Sequence, residues 1–230
     1  MLVYGKNVCK EIFDKNLKIK KAYISENLVD KNIESQIKSR CNNVNILSNK
    51  KLDEISNTLH QGIILDIEDY KYSTLEEIIN EKNDSFIVIL DHLEDPHNLG
   101  AIIRTCESAG VDGIIIPKDR SVDINSTVIK TSVGTVWNVK IARVTNLINT
   151  INELKENGYW IIGTDLDGTD YRTIDYNMKK CLVIGNEGKG ISKLVAKNCD
   201  IMATIPMRGE VNSLNASVAA GIMIYQMINN

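Results

Sequence analysis

The chain has 230 residues, 43% of them hydrophobic, and a formal net charge of −3. That is enough apolar material to bury a full core as one large domain or two modest ones, and it excludes a disordered chain. No apolar run reaches the roughly 18 to 20 residues of a membrane span and no signal-peptide core follows Met1, so the expectation is a cytoplasmic protein with no membrane partner.

The first part of the chain alternates helix and strand. Periodicity predicts an amphipathic helix over Tyr4–Leu17, a strand at Ala22–Ile24, a helix at Leu28–Ser39, a strand at Val44–Leu47, a helix at Leu52–Leu59 and a strand at Ile63–Ile67. The resulting α/β module is expected to span residues 1–68. A polar stretch with one short helix, Leu75–Asn80, follows as a linker over residues 69–84. A second domain, residues 85–230, opens on the apolar run Phe86-Ile87-Val88-Ile89-Leu90.

Further apolar runs recur at Gly113–Ile116, Trp160–Gly163, Cys181–Gly185 and Ile201–Ile205. Between them lie helical stretches at Leu99–Ala109, Leu147–Asn157 and Ile191–Lys197. Short all-apolar strands alternating with helices predict a mostly parallel sheet covered on both faces. Ligands of such sheets bind beyond the carboxyl ends of the strands, where every loop singled out below begins.

Charge is uneven. Residues 1–60 carry eleven Lys or Arg against seven acids and residues 61–230 carry sixteen against twenty-three, giving +4 and −7. The cluster Lys15, Lys18, Lys20 and Lys21 suits a nucleic-acid grip, and equally an ordinary solvated face. The five cysteines, Cys9, Cys41, Cys106, Cys181 and Cys199, are odd in number and widely spaced, which suits reduced thiols. His92 and His97 lie near Asp91 and Asp95 without a further ligand cluster, so no metal is expected.

Three motifs carry chemistry. The first, Asp95-Pro96-His97-Asn98-Leu99-Gly100, leads into a helix whose Ile102, Cys106 and Ala109 share one face, with Arg104 nearly opposite. Asn98 sits where a helix cap belongs. Taken alone, these residues fit a cap and a surface charge as well as a functional pair.

The second motif, Gly185-Asn186-Glu187-Gly188-Lys189-Gly190, packs three glycines into six residues after a strand. It implies positive φ or close backbone approach to a ligand. It has neither GxGxxG nor P-loop spacing, and Glu187 is its one carboxylate.

The third motif runs from Ile205-Pro206-Met207-Arg208-Gly209 through Asn212-Ser213-Leu214-Asn215-Ala216-Ser217 into a terminal helix. Ser213 is placed to cap that helix, and Leu214, Val218, Ile222 and Tyr225 form its expected core stripe. Ser213 and Asn215 add two hydrogen-bonding side chains beside backbone N–H groups that otherwise lack partners.

These three motifs, in this order and spacing, resemble those of the SpoU (TrmH) family of RNA ribose 2'-O-methyltransferases. Leu90-Asp91 with Asp95-Pro96-His97-Asn98, and Ile116-Pro117-Lys118-Asp119-Arg120-Ser121, look most like the bacterial branch that methylates a guanosine of 23S ribosomal RNA. Tyr4-Gly5-Lys6-Asn7-Val8 and His60-Gln61-Gly62 are similar to that branch's small ribosomal-protein-like substrate-binding domain.

The resemblance implies more than the pattern does. It implies a SPOUT-type catalytic domain threaded as a trefoil knot, where periodicity alone points to an ordinary doubly wound sheet. It implies a homodimer that binds S-adenosylmethionine, at Thr164, Gly185, Gly188, Ile205 and Leu214 in this chain, and RNA, either 23S ribosomal RNA or a ribosome-assembly intermediate. In that reading Arg104 binds an RNA phosphate and steadies the developing alkoxide, while Asn98, Glu187, Ser213 and Asn215 hold Arg104 and the ribose, with Glu187 also a candidate base. Other expectations remain open: methylation of transfer RNA or of another ribosomal nucleotide, or a noncatalytic RNA-binding assembly factor.

Overall fold

The computed structural model describes residues 1–56, 58–210 and 213–229. Asn212, quoted above in the third motif, and Asn57, inside the helix expected at Leu52–Leu59, lie outside the described residues. The chain divides into two compact units. The first is Met1–Lys71 with Ile124–Trp137, and the second is Tyr72–Asp123 with Asn138–Asn230.

The first unit is built on a four-stranded sheet of order β1-β4-β2-β3, with β1 at Leu2–Tyr4, β2 at Ile19–Ser25, β3 at Val44–Leu47 and β4 at Ile63–Ile67. β4 runs antiparallel to β1 and β2, and β2 runs parallel to β3. The stretch expected as one helix from Tyr4 divides at Gly5, whose φ of 101° lets β1 turn directly into α1 (Lys6–Asp14). Val8, Cys9, Ile12 and Phe13 form the buried stripe of α1.

Asp30 caps α2 (Lys31–Arg40) by accepting the Ile33 N–H at 3.1 Å. Helix α3 (Asn49–Ile55) ends earlier than expected, because Ser56 is extended and Leu59 turns out to solvent. A short helix that periodicity did not predict, α6 (Ser126–Thr131), also belongs to this unit. Its Lys130 ammonium lies 5.2 Å from the centre of the Tyr4 ring.

The second unit holds six parallel strands in the order β10-β8-β9-β5-β6-β7. They are β5 (Phe86–Leu90), β6 (Gly113–Pro117), β7 (Lys140–Val144), β8 (Trp160–Asp170), β9 (Lys180–Ile184) and β10 (Ile201–Thr204). β5, β6 and β9 are buried at every position, which is why β5, β6 and the part of β9 after the buried Lys180 read as apolar runs. β7 is an edge strand interrupted by Arg143 and so carries no such signal.

β8 continues seven residues past Gly163 into polar sequence. That tail pairs closely with β10, since a Cβ on Gly168 would lie 2.5 Å from the Met202 carbonyl oxygen. The expected linker contains α4 (Leu75–Ile78), whose capping box joins Thr74 and Glu77. Ile78 is 1% exposed and packs with Ile87, Ile89 and Ile115. Gly113 makes room for it, since a Cβ there would sit 2.5 Å from the Ile78 side chain.

The remaining helices are α5 (Pro96–Ser108), α7 (Leu147–Glu156), α8 (Lys193–Lys197) and α9 (Ala216–Ile228). No helix among the described residues is long and apolar enough to cross a membrane.

Two expected caps are displaced. Asp95, not Asn98, caps α5, accepting the N–H groups of His97 at 3.1 Å and Asn98 at 3.3 Å, with Pro96 as the first helical residue. Asn215, not Ser213, caps α9, accepting Ser217 N–H at 2.9 Å and Val218 N–H at 3.3 Å. The expected core stripe of α9 is also wrong: Val218 is 50% and Tyr225 45% exposed, whereas Ala216, Ala220, Met223, Ile224 and Met227 are buried. A helix apolar on nearly all sides does not announce which side faces inward.

Candidate active site

All three motifs converge at the carboxyl edge of the second unit's sheet. β5 and β9 are neighbours there, and the strand order departs from them in opposite directions, the place where open parallel sheets leave a crevice.

The loop after β9 is a closed ring. Asn186 and Gly190 exchange backbone hydrogen bonds of 3.0 and 2.8 Å, and the Asn186 side chain accepts the Gly188 N–H at 3.0 Å. Gly185 supplies close approach, because a Cβ there would collide with the Gly190 carbonyl carbon and the Ile191 nitrogen. Gly190 supplies positive φ, at 65°. Gly188 has neither constraint.

The ring is tied to the end of β5. Asp91 N–H donates to the Ile184 carbonyl at 2.8 Å and the buried Asp91 carboxylate accepts Ser192 N–H at 2.6 Å. His92 Nδ1 lies 2.5 Å from Asp91 Oδ1, and the His92 carbonyl accepts the Asn186 amide at 2.9 Å.

Asn98, buried in the first turn of α5, donates its amide to Glu187 Oε1 in a short hydrogen bond. Asn215 donates its amide to Asn98 Oδ1 at 3.0 Å and to Glu187 Oε1 at 3.1 Å. One carboxylate oxygen therefore gathers two carboxamides, while Glu187 Oε2 accepts nothing among the described residues. Asp95 anchors the helix that delivers Asn98. Burial would raise its pKa, but hydrogen bonds from the Asn98 side chain and from the His97 and Asn98 N–H groups outweigh this and hold it below the usual carboxylate value.

Beside this cluster lies a cavity of about 450 Å³ whose lining includes Thr164, Gly185, Gly188, Ile205 and Leu214, all five of the residues expected to form one pocket. Thr164 Oγ1 donates to the Val183 carbonyl at 3.1 Å, which leaves its oxygen able to accept. Ser213 lines the cavity, and Glu187 belongs to both the cavity and the cluster. The structure adds Asp165 and Leu166 from the tail of β8, Ala203 from β10 and Ala219 from α9 to the wall. The apolar run of β8 ends at Gly163, so periodicity gives no sign of Asp165 and Leu166, and Ala203 and Ala219 are small residues of apolar runs that carry no signal of their own.

Arg104 does not join the cluster. It is exposed on α5 with no hydrogen bond or ion pair among the described residues, and six residues of helix place it about 120° around the axis from Asn98. The expected grip of Asn98, Glu187, Ser213 and Asn215 on Arg104 is therefore not made, since the two carboxamides are occupied by Glu187 and by each other.

Residues 85–225 match the SpoU rRNA Methylase family, and residues 2–73 match the family described as RNA 2'-O ribose methyltransferase substrate binding. The chain belongs to the SpoU rRNA methylase family and is by that membership an RNA methyltransferase. YacO of Bacillus subtilis (strain 168), named for the TrmH family of tRNA/rRNA methyltransferases, is 42% identical over 233 residues, 98% of this chain and 94% of that protein. A relative of the same description from Staphylococcus haemolyticus is 43% identical over 235 residues, 99% of this chain and 94% of that one. Among solved structures, the AdoMet-bound rRNA methyltransferase from Sinorhizobium meliloti superposes with a TM-score of 0.84 at 30% identity, covering 99% of this chain and 86% of that chain.

Proposed function

We propose that this protein transfers a methyl group from S-adenosylmethionine to a ribose 2'-hydroxyl of RNA, with a guanosine of 23S ribosomal RNA, free or in an assembly intermediate, as its target. The observation that carries this reading is the double membership of Glu187, whose side chain anchors the Asn98–Asn215 cluster and also walls the cavity. The matches to an rRNA methylase family and to a substrate-binding family support it.

The cavity fits the cofactor. Its volume is within the roughly 300–1,000 Å³ of small-molecule sites. Its wall pairs apolar side chains, Ile205 and Leu214, with the bare backbone of Gly185 and Gly188, which suits an adenosine. Bound there, S-adenosylmethionine supplies an electrophilic methyl group.

The protein's part is positioning, which can be worth several powers of ten when the reacting atoms are aligned. The free Oε2 of Glu187 can take the hydroxyl proton, and Asn98 and Asn215 hold that carboxylate in place. Arg104, free of any partner among the described residues, is available to a phosphate through its planar fork. A guanidinium is a poor base, so in this reading Arg104 binds and stabilises charge and does not take the proton. Ser213, at the cavity wall, is left to orient the ribose.

The homodimer that the resemblance implies belongs to the same reading. Val218, Tyr225 and Ile228 expose apolar surface on α9 that a second copy could cover. The trefoil knot is likewise part of this proposal.

The test is radiolabelled methyl transfer from S-adenosylmethionine to unmodified 23S, 16S and transfer RNA, with wild type and Arg104→Ala. Label confined to 23S RNA and lost in the variant is expected. The relatives' shared description as tRNA/rRNA methyltransferases makes transfer RNA the second target, and label there alone would overturn the choice of substrate while keeping the chemistry.

A further inference from the structure

We infer that Asp91 is a positioning residue that clamps the ring Gly185–Gly190 and, through it, sets Glu187 and one wall of the cavity. This rests on the reading of that cavity as the S-adenosylmethionine site. Asp91 neither lines the cavity nor joins the Asn98–Glu187–Asn215 cluster. Yet it is 1% exposed, and a carboxylate is not buried without partners that repay its lost hydration.

Its partners bracket the ring. On the exit side, Oδ2 accepts the Ser192 N–H at 2.6 Å. Ser192 begins α8 without a side-chain cap, so this bond from Asp91 fixes where the chain leaves the ring. On the approach side, the Asp91 N–H prolongs the β5–β9 ladder by one bond, to Ile184, the residue before Gly185.

The remaining oxygen acts through a neighbour. Oδ1 meets His92 Nδ1 at 2.5 Å, and because a carboxylate only accepts, the imidazole donates from Nδ1. His92 has a φ of 57°, in the left-handed region that few residues other than glycine visit freely, and the Asp91 hydrogen bond holds it there. In that conformation the His92 carbonyl accepts the amide of Asn186, whose side chain and backbone close the ring. Two consecutive residues at the end of β5 thus hold both ends of a loop about a hundred positions away.

A clamp of this kind acts on whatever the ring binds, and less on RNA held elsewhere. In the full-length protein, Asp91→Ala is expected to raise the KM for S-adenosylmethionine about tenfold, the scale of one lost charged hydrogen bond, with the KM for RNA within about twofold of wild type. Asp91→Asn keeps an acceptor oxygen for Ser192 N–H and is expected to recover most of that loss. Amide hydrogen exchange without ligand is expected to speed up in Asp91→Ala at residues 186–192 and not in β5 or β9.

Unchanged exchange in the ring would overturn the clamp. So would faster exchange throughout β5 and β9 with Asp91→Asn no better than Asp91→Ala, since Asp91 would then merely support the core. Because exchange is read without ligand, a wild type that binds no S-adenosylmethionine would overturn the cofactor reading by itself, and the ring amides would still decide the clamp.

Discussion

Gly185 passes against Gly190 so closely that no side-chain carbon fits between Gly185 and the carbonyl carbon of Gly190. Gly185→Ala must therefore open the ring that carries Glu187, because the obstruction is backbone and cannot swing aside. The expected result is loss of S-adenosylmethionine affinity by about tenfold or more, with thermal stability lowered by only a few degrees, read by calorimetric titration and thermal melting. Gly188→Ala, where the nearest atom to a new Cβ is the Asn186 Oδ1 at 3.7 Å, is expected to fold and melt like wild type.

Asn98 donates to Glu187, so Asn98→Asp replaces a donor with a second carboxylate beside the first. Like charges in contact force one of the pair to hold its proton to higher pH. The raised folded-state pKa makes the variant most stable at acid pH, below the unfolded carboxylate value, with stability lost as pH rises through the folded one. Thermal melts from pH 4 to 8 are expected to show the variant's deficit growing upward, and turnover at pH 8 to fall by about 10²-fold. A pH-independent deficit would mean that the two side chains part when both are charged.

Arg104 is exposed and unpaired among the described residues, so its removal should leave the fold alone. Arg104→Lys keeps the charge and loses the planar fork. Turnover is expected to drop about 10²-fold with an unchanged melting temperature and an unchanged affinity for S-adenosylmethionine. Near-normal turnover in single-turnover methyl transfer would show that a point charge suffices.

Acid should find Asp112. Burial raises its pKa, but hydrogen bonds from the Phe86 N–H, the Ser85 hydroxyl and Lys82 outweigh burial and hold it below the usual carboxylate value. A depressed folded-state pKa contributes stability above the unfolded value of about 4, and that contribution is lost as pH falls through the folded one. Asp112→Asn is expected to unfold at lower urea than wild type at pH 7, with the two midpoints converging as pH falls towards 3. A constant gap would assign the effect to packing.

Strands buried on both faces, β5, β6 and β9 from Cys181 onward, were legible in the sequence, because a short apolar run flanked by polar sequence and alternating with helical stretches fits the interior of a parallel sheet. The glycines after β9 also marked the ring, where Gly185 meets a close backbone approach and Gly190 a positive φ, whereas Thr164, Gly188, Ile205 and Leu214 were expected at the cavity wall only from the resemblance to the family. Tertiary structure decided what periodicity does not encode. It chose the inward side of α9, gave the caps of α5 and α9 to Asp95 and Asn215, and turned the polar tail of β8 into paired strand and cavity wall. It also brought Asn98, Glu187 and Asn215 onto one carboxylate oxygen while leaving Arg104 in solvent. The physical reason is that local pattern reports what a residue can do with its near neighbours, whereas partners 89 or 117 positions apart exist only once the strands are ordered in the sheet.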